Sequence, residues 1–404
     1  MPHLFVLGRE SELSLAELTQ VLRADNTWFE AIAGSNELAV FDVSEFTTET
    51  FHRCGGLIKF GPAKEYARPD LDQQVQALIE SRLPKQGRLT FGISVYPASP
   101  DVTRKVLADV QEQMRLLGMT IKSNLKARGM SVRFVMAGDE PQLSSVTVDK
   151  NKLTSEKGIE VLVGFDLKTV WVGATQAVQD YEAFAHRDMN RPKRDDVAGM
   201  LPPKLARTMI NLAGLRLNKQ SVVLDPFCGS GTVMQEALVL GAGKVLGSDA
   251  SDTAVSAAQA NMEWLHTQMP LLGEARVEQV DVSDIGTWLP EGFVDLAVTE
   301  PFLGDPVRKA IRKEEAIKRQ AELSELYDKA FESLARVVKP NGRLVMIFPV
   351  LDDRRIPLPP AMGKRWRVLT PWIDVFTTTS KRGGLDYQRP GQRVAREIFL
   401  LERK

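Results

Sequence analysis

Cysteine is nearly missing from this chain: 404 residues contain two, Cys54 and Cys228, far apart and in no C-x-x-C arrangement. That excludes a disulfide framework, and with only four histidines, none at ligand spacing, no metal site is expected. No apolar run is long enough to cross a membrane. The N-terminal Leu4-Phe5-Val6-Leu7 run is shorter than a signal h-region and lacks a basic leader, so it reads as a first strand in a cytoplasmic protein. Net charge is also absent, because 52 Lys and Arg balance 52 Asp and Glu. An evenly basic nucleic-acid binder is therefore excluded, but the positive residues are unevenly spread. They gather at Arg104, Lys105, Arg115, Lys122, Lys126, Arg128 and Arg133, at Arg187, Arg191, Lys193 and Arg194, and at Lys381, Arg382, Arg389, Arg393 and Arg396. Local patches of this kind suit phosphates, and each reads equally well as a solvated face.

What is present is ordinary globular composition, 43% hydrophobic and 26% charged, in a chain too long for one typical core. Two or three domains are expected, with no repeat or low-complexity tract. The first half reads as α+β, a small sandwich with strands at 3–7, 37–43, 88–95, 131–135 and 159–165 and a helix at 102–127. The proline-bounded stretch 192–203 is the evident linker, and Pro202-Pro203 suits a helix start.

The most informative run is Val222-Val223-Leu224-Asp225-Pro226-Phe227-Cys228-Gly229-Ser230-Gly231-Thr232. Three β-formers fit a buried parallel strand, and the glycines free the backbone of the turn before a helix. A dinucleotide site wants G-x-G-x-x-G to receive two phosphates, whereas here a carboxylate closes the strand. Asp225 would repel a phosphate and suits a cation. A second strand ends in Asp249 about twenty residues after the turn, where an acid can accept ribose hydroxyls. A third strand, 275–282, carries Asp281 and Val282 as side-chain acceptor and backbone donor for a base edge. Either acid is also readable as a helix cap or turn former. Finally, strand 294–298 runs into Thr299-Glu300-Pro301-Phe302-Leu303-Gly304, an acceptor, a rigid proline and an aromatic together.

The eight residues from Asp225 to Thr232 resemble motif I of class I S-adenosylmethionine-dependent methyltransferases, in the form carried by enzymes that methylate exocyclic amines of nucleic-acid bases. Glu300-Pro301-Phe302 sits where these carry D/N/S-P-P-Y/F/W. One register puts Glu300 at the Asp position, the other leaves Thr299 at the polar site. The stretch from His3 to Leu18, Gly55-Gly56-Leu57-Ile58-Lys59, the segment from Arg191 to Ala206 and the tail from Tyr387 to Ile398 are similar to THUMP-containing tRNA guanosine N2-methyltransferases. That likeness covers nearly the whole chain.

It implies a Rossmann-like α/β catalytic domain at 201–404, a linker at 186–200, and an α+β ferredoxin-like plus THUMP region at 1–185 that grips tRNA. It assigns Asp225, Phe227, Gly229, Gly231, Asp249, Asp281 and Val282 to S-adenosylmethionine, and Glu300, Pro301 and Phe302 to catalysis on the N2 of a guanosine, typically position 10. Lys126, Arg128, Arg133, Arg191, Lys193, Arg194, Arg389 and Arg393 become candidate phosphate contacts and Tyr387 a base-stacking ring. The atypical catalytic turn keeps two alternatives open: another exocyclic amine such as adenine N6, or an RNA-binding protein that retains the cofactor pocket.

Overall fold

The computed structural model describes residues 1–137, 142–194, 200–304, 313–351, 354–371, 380–388 and 394–404. They form two compact units, Met1–Leu18 with Asp25–Tyr181, and Thr19–Ala24 with Glu182–Lys404.

In the first unit one continuous sheet runs in the order β2-β3-β1-β4-β8-β7-β5-β6, with β9 paired to β4. Its strands are β1 (Pro2–Leu7), β2 (Phe29–Gly34), β3 (Leu38–Val43), β4 (Leu57–Ala67), β5 (Arg88–Pro97), β6 (Ser131–Val135), β7 (Gly158–Phe165), β8 (Thr169–Ala174) and β9 (Ala177–Val178). β5 is parallel to β6 and β7, while β1, β3, β4 and β8 pair antiparallel. Strands β2, β4, β8 and β9 were not expected. The helices Leu71–Glu80 and Arg104–Ala127 lay Val75, Ile79, Val110, Met114, Ile121 and Leu125 on the β5–β8 part of the sheet, the apolar stripe that helical spacing predicts. Thr103 caps the longer helix by accepting from the Val106 N–H.

The second unit is an α/β sheet in the order β12-β11-β10-β13-β14-β18-β16, with β15 beside β14 and β17 beside β18. Its strands are β10 (Val222–Asp225), β11 (Lys244–Asp249), β12 (Glu274–Gln279), β13 (Val294–Thr299), β14 (Val338–Leu351), β15 (Arg354–Arg355), β16 (Trp366–Leu369), β17 (Leu385–Tyr387) and β18 (Val394–Arg403). From β12 through β14 the pairing is parallel, and β18 closes antiparallel on β14. Val223 and Leu224 are fully buried because parallel strands flank β10 on both sides. Between β13 and β14 the ladder steps from Val294–Val338 to Leu296–Arg343, which extrudes an Asn-Gly turn, with Asn341 at φ 60°.

This order fixes where a ligand can sit. After β10 the chain builds outward through β11 and β12, then returns to the other side of β10 for β13 and β14. The carboxyl ends of β10 and β13 therefore flank the topological switch point, where open α/β sheets bind ligands.

Candidate active site

Asp225 closes β10 at the switch point and is 3% exposed. Its Oδ1 accepts from the Thr299 hydroxyl at 2.7 Å and from the Phe227 N–H at 3.2 Å. Burial raises its pKa to about 7; the two hydrogen bonds oppose the rise, and nearby Asp249 and Glu300 add to it. Such a carboxyl is held ready to ionise against a cation. Phe227 is half-buried beside it.

The turn that follows is built for close approach. Gly229 and Gly231 take φ 50° and 85°, the left-handed region. A Cβ on Gly229 would meet nothing within 4 Å, so open space lies above it, while one on Gly231 would meet Met262 Cε at 3.0 Å. The Gly229 N–H donates to Asp249 Oδ2 at 3.1 Å, and Asp249 Oδ1 accepts from Ser251 N–H at 2.9 Å. Asp249 is thus fixed at the end of β11, next to the turn. Cys228 is buried and free, and burial pushes its thiol pKa far up, so it packs rather than attacks.

β12 stops at Gln279, short of the expected third strand. Asp281 lies beyond it and caps the short helix Val282–Asp284, accepting from the Ser283 hydroxyl at 2.6 Å and the Ser283 N–H at 2.9 Å, bonds that lower its pKa. Asp281 is exposed and Val282 buried.

At the end of β13 the residues of the candidate catalytic turn separate. Thr299, fully buried, spends its hydroxyl on Asp225. Glu300 is the first residue past the strand, and its Oε1 accepts from Arg396 Nε of β18 at 2.6 Å. Pro301 is buried, whereas Phe302 is 55% exposed. The Phe302 carbonyl accepts from the Tyr327 hydroxyl at 2.8 Å. Tyr327, on helix Lys313–Val337, is itself fully buried, with its ring 5.2 Å from that of Phe348. Neither Arg396 nor Tyr327 was expected here, since their partners lie far away in sequence.

Several expected RNA contacts are corrected. Arg191 is buried and donates to Thr232 Oγ1 at 2.6 Å, and neighbouring Arg187 is buried against Glu236 at 2.6 Å, so neither lies on an open face. Tyr387 is 7% exposed and lies under the Arg396 guanidinium at 5.9 Å, not free to stack on a base. Lys193 and Arg194 are exposed. Arg389 and Arg393 fall outside the described residues. In the first unit Lys126, Arg128 and Arg133 are exposed, Arg128 lying 3.6 Å from Glu80. Arg133 lines a depression of about 710 Å³ with Arg88, Lys150, Lys152 and Lys157.

Among the described residues no group of His, Cys, Asp and Glu could hold a metal ion, and no helix is long and apolar enough to cross a membrane.

Residues 191–355 match the family described as RMKL-like, methyltransferase domain. Over 183 residues the chain is 31% identical to the tRNA (guanine(10)-N2)-dimethyltransferase of Methanocaldococcus jannaschii, covering 45% of this chain and 46% of that one. It is 31% identical over 151 residues to the protein of the same name from Methanothermobacter thermautotrophicus, covering 37% and 39%. The chain thus spans less than half the length of these two curated relatives. TrmN from Thermus thermophilus superposes with a TM-score of 0.55 at 18% identity, covering 100% of both chains. Its fold is shared, and the second unit has the Rossmann-like methyltransferase architecture.

Proposed function

We propose that this protein is a cytoplasmic tRNA methyltransferase that moves a methyl group from S-adenosylmethionine to the exocyclic N2 of a guanosine, position 10 being favoured by the relatives' names. The observation that carries the reading is the buried Asp225 carboxyl with its pKa at about 7, set between Asp249 and the Glu300 turn at the switch point. A site lined by three acids repels phosphate and favours a cationic ligand. The open space above Gly229 fits a ligand that approaches backbone. Asp225, Phe227, Gly229 and Gly231 would hold the methionine end, Asp249 the ribose, and Asp281 with Val282 the adenine edge. When bound, S-adenosylmethionine supplies an electrophilic methyl group.

The chain's own residues do the rest by orientation. An exocyclic amine becomes nucleophilic toward a fixed methyl when acceptors hold its N–H bonds and leave the lone pair aimed. With the Thr299 hydroxyl spent on Asp225, the Glu300 side chain is the acid at the mouth of the turn, and a backbone carbonyl is the second acceptor. Pro301 keeps that backbone rigid, and the exposed Phe302 ring is free to cover the base. Glu300 then accepts the proton that the amine releases after transfer. Tyr327 fixes the next carbonyl, so Tyr327→Phe, which keeps the ring and loses the hydroxyl, lowers kcat about fivefold, the worth of ~1 kcal/mol. Melting curves beside single-turnover rates check that stability is spared.

For the RNA we propose the division drawn from the sequence, with 1–185 as a THUMP-type gripping region, 186–200 as linker and 201–404 as catalytic domain. The depression lined by Arg88 and Arg133 supports a phosphate-binding role. Replacing both arginines by glutamine weakens tRNA binding and flattens the slope of log K against log salt by about 1.5, with kcat at saturating tRNA unchanged. Filter binding at several salt concentrations measures it.

The whole reading is tested by transfer of labelled methyl to unmodified tRNA followed by nucleoside analysis. N2-methylguanosine that disappears in Asp225→Ala is the expected result. N6-methyladenine would move the substrate class, and cofactor binding with no methylated nucleoside would sink the enzyme assignment.

A further inference from the structure

We propose that Arg396 is a positioning residue for the Glu300 acceptor, an inference that rests on the catalytic reading above. Glutamate is one methylene longer than the aspartate usual at this position, so its carboxylate has one more rotor to order before it can hold an amine. Arg396 removes that freedom. Its Nε lies 2.6 Å from Glu300 Oε1, and both side chains are largely withdrawn from water, at 14% and 15% exposure. Among the described residues, Oε1 is the only Glu300 carboxylate oxygen engaged, which leaves Oε2 to accept an N–H from the substrate.

The arginine is itself held on several sides. On β18 it lies opposite Pro349 of β14 and Tyr387 of β17, so strands on both flanks fix its backbone. The Tyr387 ring lies 5.9 Å from its guanidinium carbon. Its charge also offsets a local excess, since Glu300 and Asp249 both press the Asp225 pKa upward. Arg396 thus acts through Glu300 and need not touch the base.

The test is a double-substitution cycle in the full chain with Arg396→Met, Arg396→Lys, Glu300→Gln and the Met–Gln pair, read by methyl transfer to tRNA and by chemical unfolding. Arg396→Met lowers kcat about 10²-fold with cofactor Kd and tRNA KM nearly unchanged, and Arg396→Lys recovers part of the loss. The double variant is no slower than Glu300→Gln alone, because the two act as a unit. In unfolding, the destabilisation by Arg396→Met shrinks in the Glu300→Gln background. Wild-type kcat in Arg396→Met, with that coupling intact, leaves a merely structural ion pair and overturns the proposal. Additive losses in kcat overturn it too, by putting Arg396 on the RNA. If the wild-type protein methylates no nucleic acid, the catalytic reading falls and takes this role with it, whereas absent coupling in unfolding removes the contact and leaves that reading standing.

Discussion

Affinity for S-adenosylmethionine falls about tenfold for each pH unit below about 7 and is level just above it. The cause is Asp225. Its carboxyl is buried at the end of β10, and burial lifts its pKa from 3.8 to about 7. In the ligand-free protein it therefore keeps its proton through the mildly acidic range, while the same group in the unfolded chain has already ionised. The folded state binds more protons across that window, so its stability declines as pH rises from about 4 to about 7 and the full penalty of a buried anion is present above. A cationic ligand reverses the preference by favouring the anion. Binding then expels a proton wherever Asp225 starts protonated, which weakens the apparent Kd by a decade per pH unit. The α-amino group of the ligand, ordinarily near 7.7–8.0, stays charged through the same window and adds no slope. Calorimetry in buffers of different ionisation enthalpy reads the released proton directly. Asp225→Asn keeps the shape and the acceptor for Thr299 but cannot ionise. It loses affinity by about 10²-fold at neutral pH, becomes pH-independent, and melts higher than wild type at pH 8 because a buried charge has gone. An unchanged slope in this variant would move the titrating group elsewhere.

How far this site was legible depends on how local its signals are. The β10 turn is written in consecutive residues, Val-Val-Leu followed by a carboxylate and two glycines, and both glycines take the left-handed backbone that the reading requires. Asp249 follows from the spacing of the next strand, and the structure brings it to Gly229. Pairings between distant residues left no such trace. Arg187 reads as part of a surface patch until its partner Glu236, distant in sequence, is seen beside it at 2.6 Å. Tyr387 looks like an exposed loop ring because nothing nearby announces that β17 pairs with β18. The first-unit strand β4 was missed for a related reason. Lys59, Lys64 and Glu65 break its apolar pattern, and Lys59 is buried with Glu160 on β7 and the Leu143 carbonyl each 2.5 Å from its ammonium.

Glu300→Ala abolishes most methyl transfer, about 10²–10⁴-fold in kcat, while cofactor affinity stays close to wild type. The separation follows from topology. Asp225, the turn glycines and Asp249 belong to β10 and β11, and Glu300 belongs to the far lip of the switch point, one residue past β13. Removing its carboxylate takes away the acceptor proposed to orient the amine and receive its proton, and touches no residue assigned to the cofactor. It also relieves a Coulombic push on Asp225, which favours the Asp225 anion and offsets the loss of one acid from the site, so affinity stays near wild type. The alanine leaves Arg396 without its Glu300 contact in a site of 14% exposure, and some loss of stability is expected. Glu300→Gln controls for that, because it keeps the volume and one acceptor oxygen while losing the charge. Rapid-mixing measurements at saturating tRNA and cofactor should rank wild type above glutamine and glutamine above alanine. Glutamine equal to wild type would reduce Glu300 to a neutral acceptor and hand the proton to solvent. Alanine equal to wild type would give the acceptor role to backbone carbonyls alone and leave Glu300 as the anchor of β18.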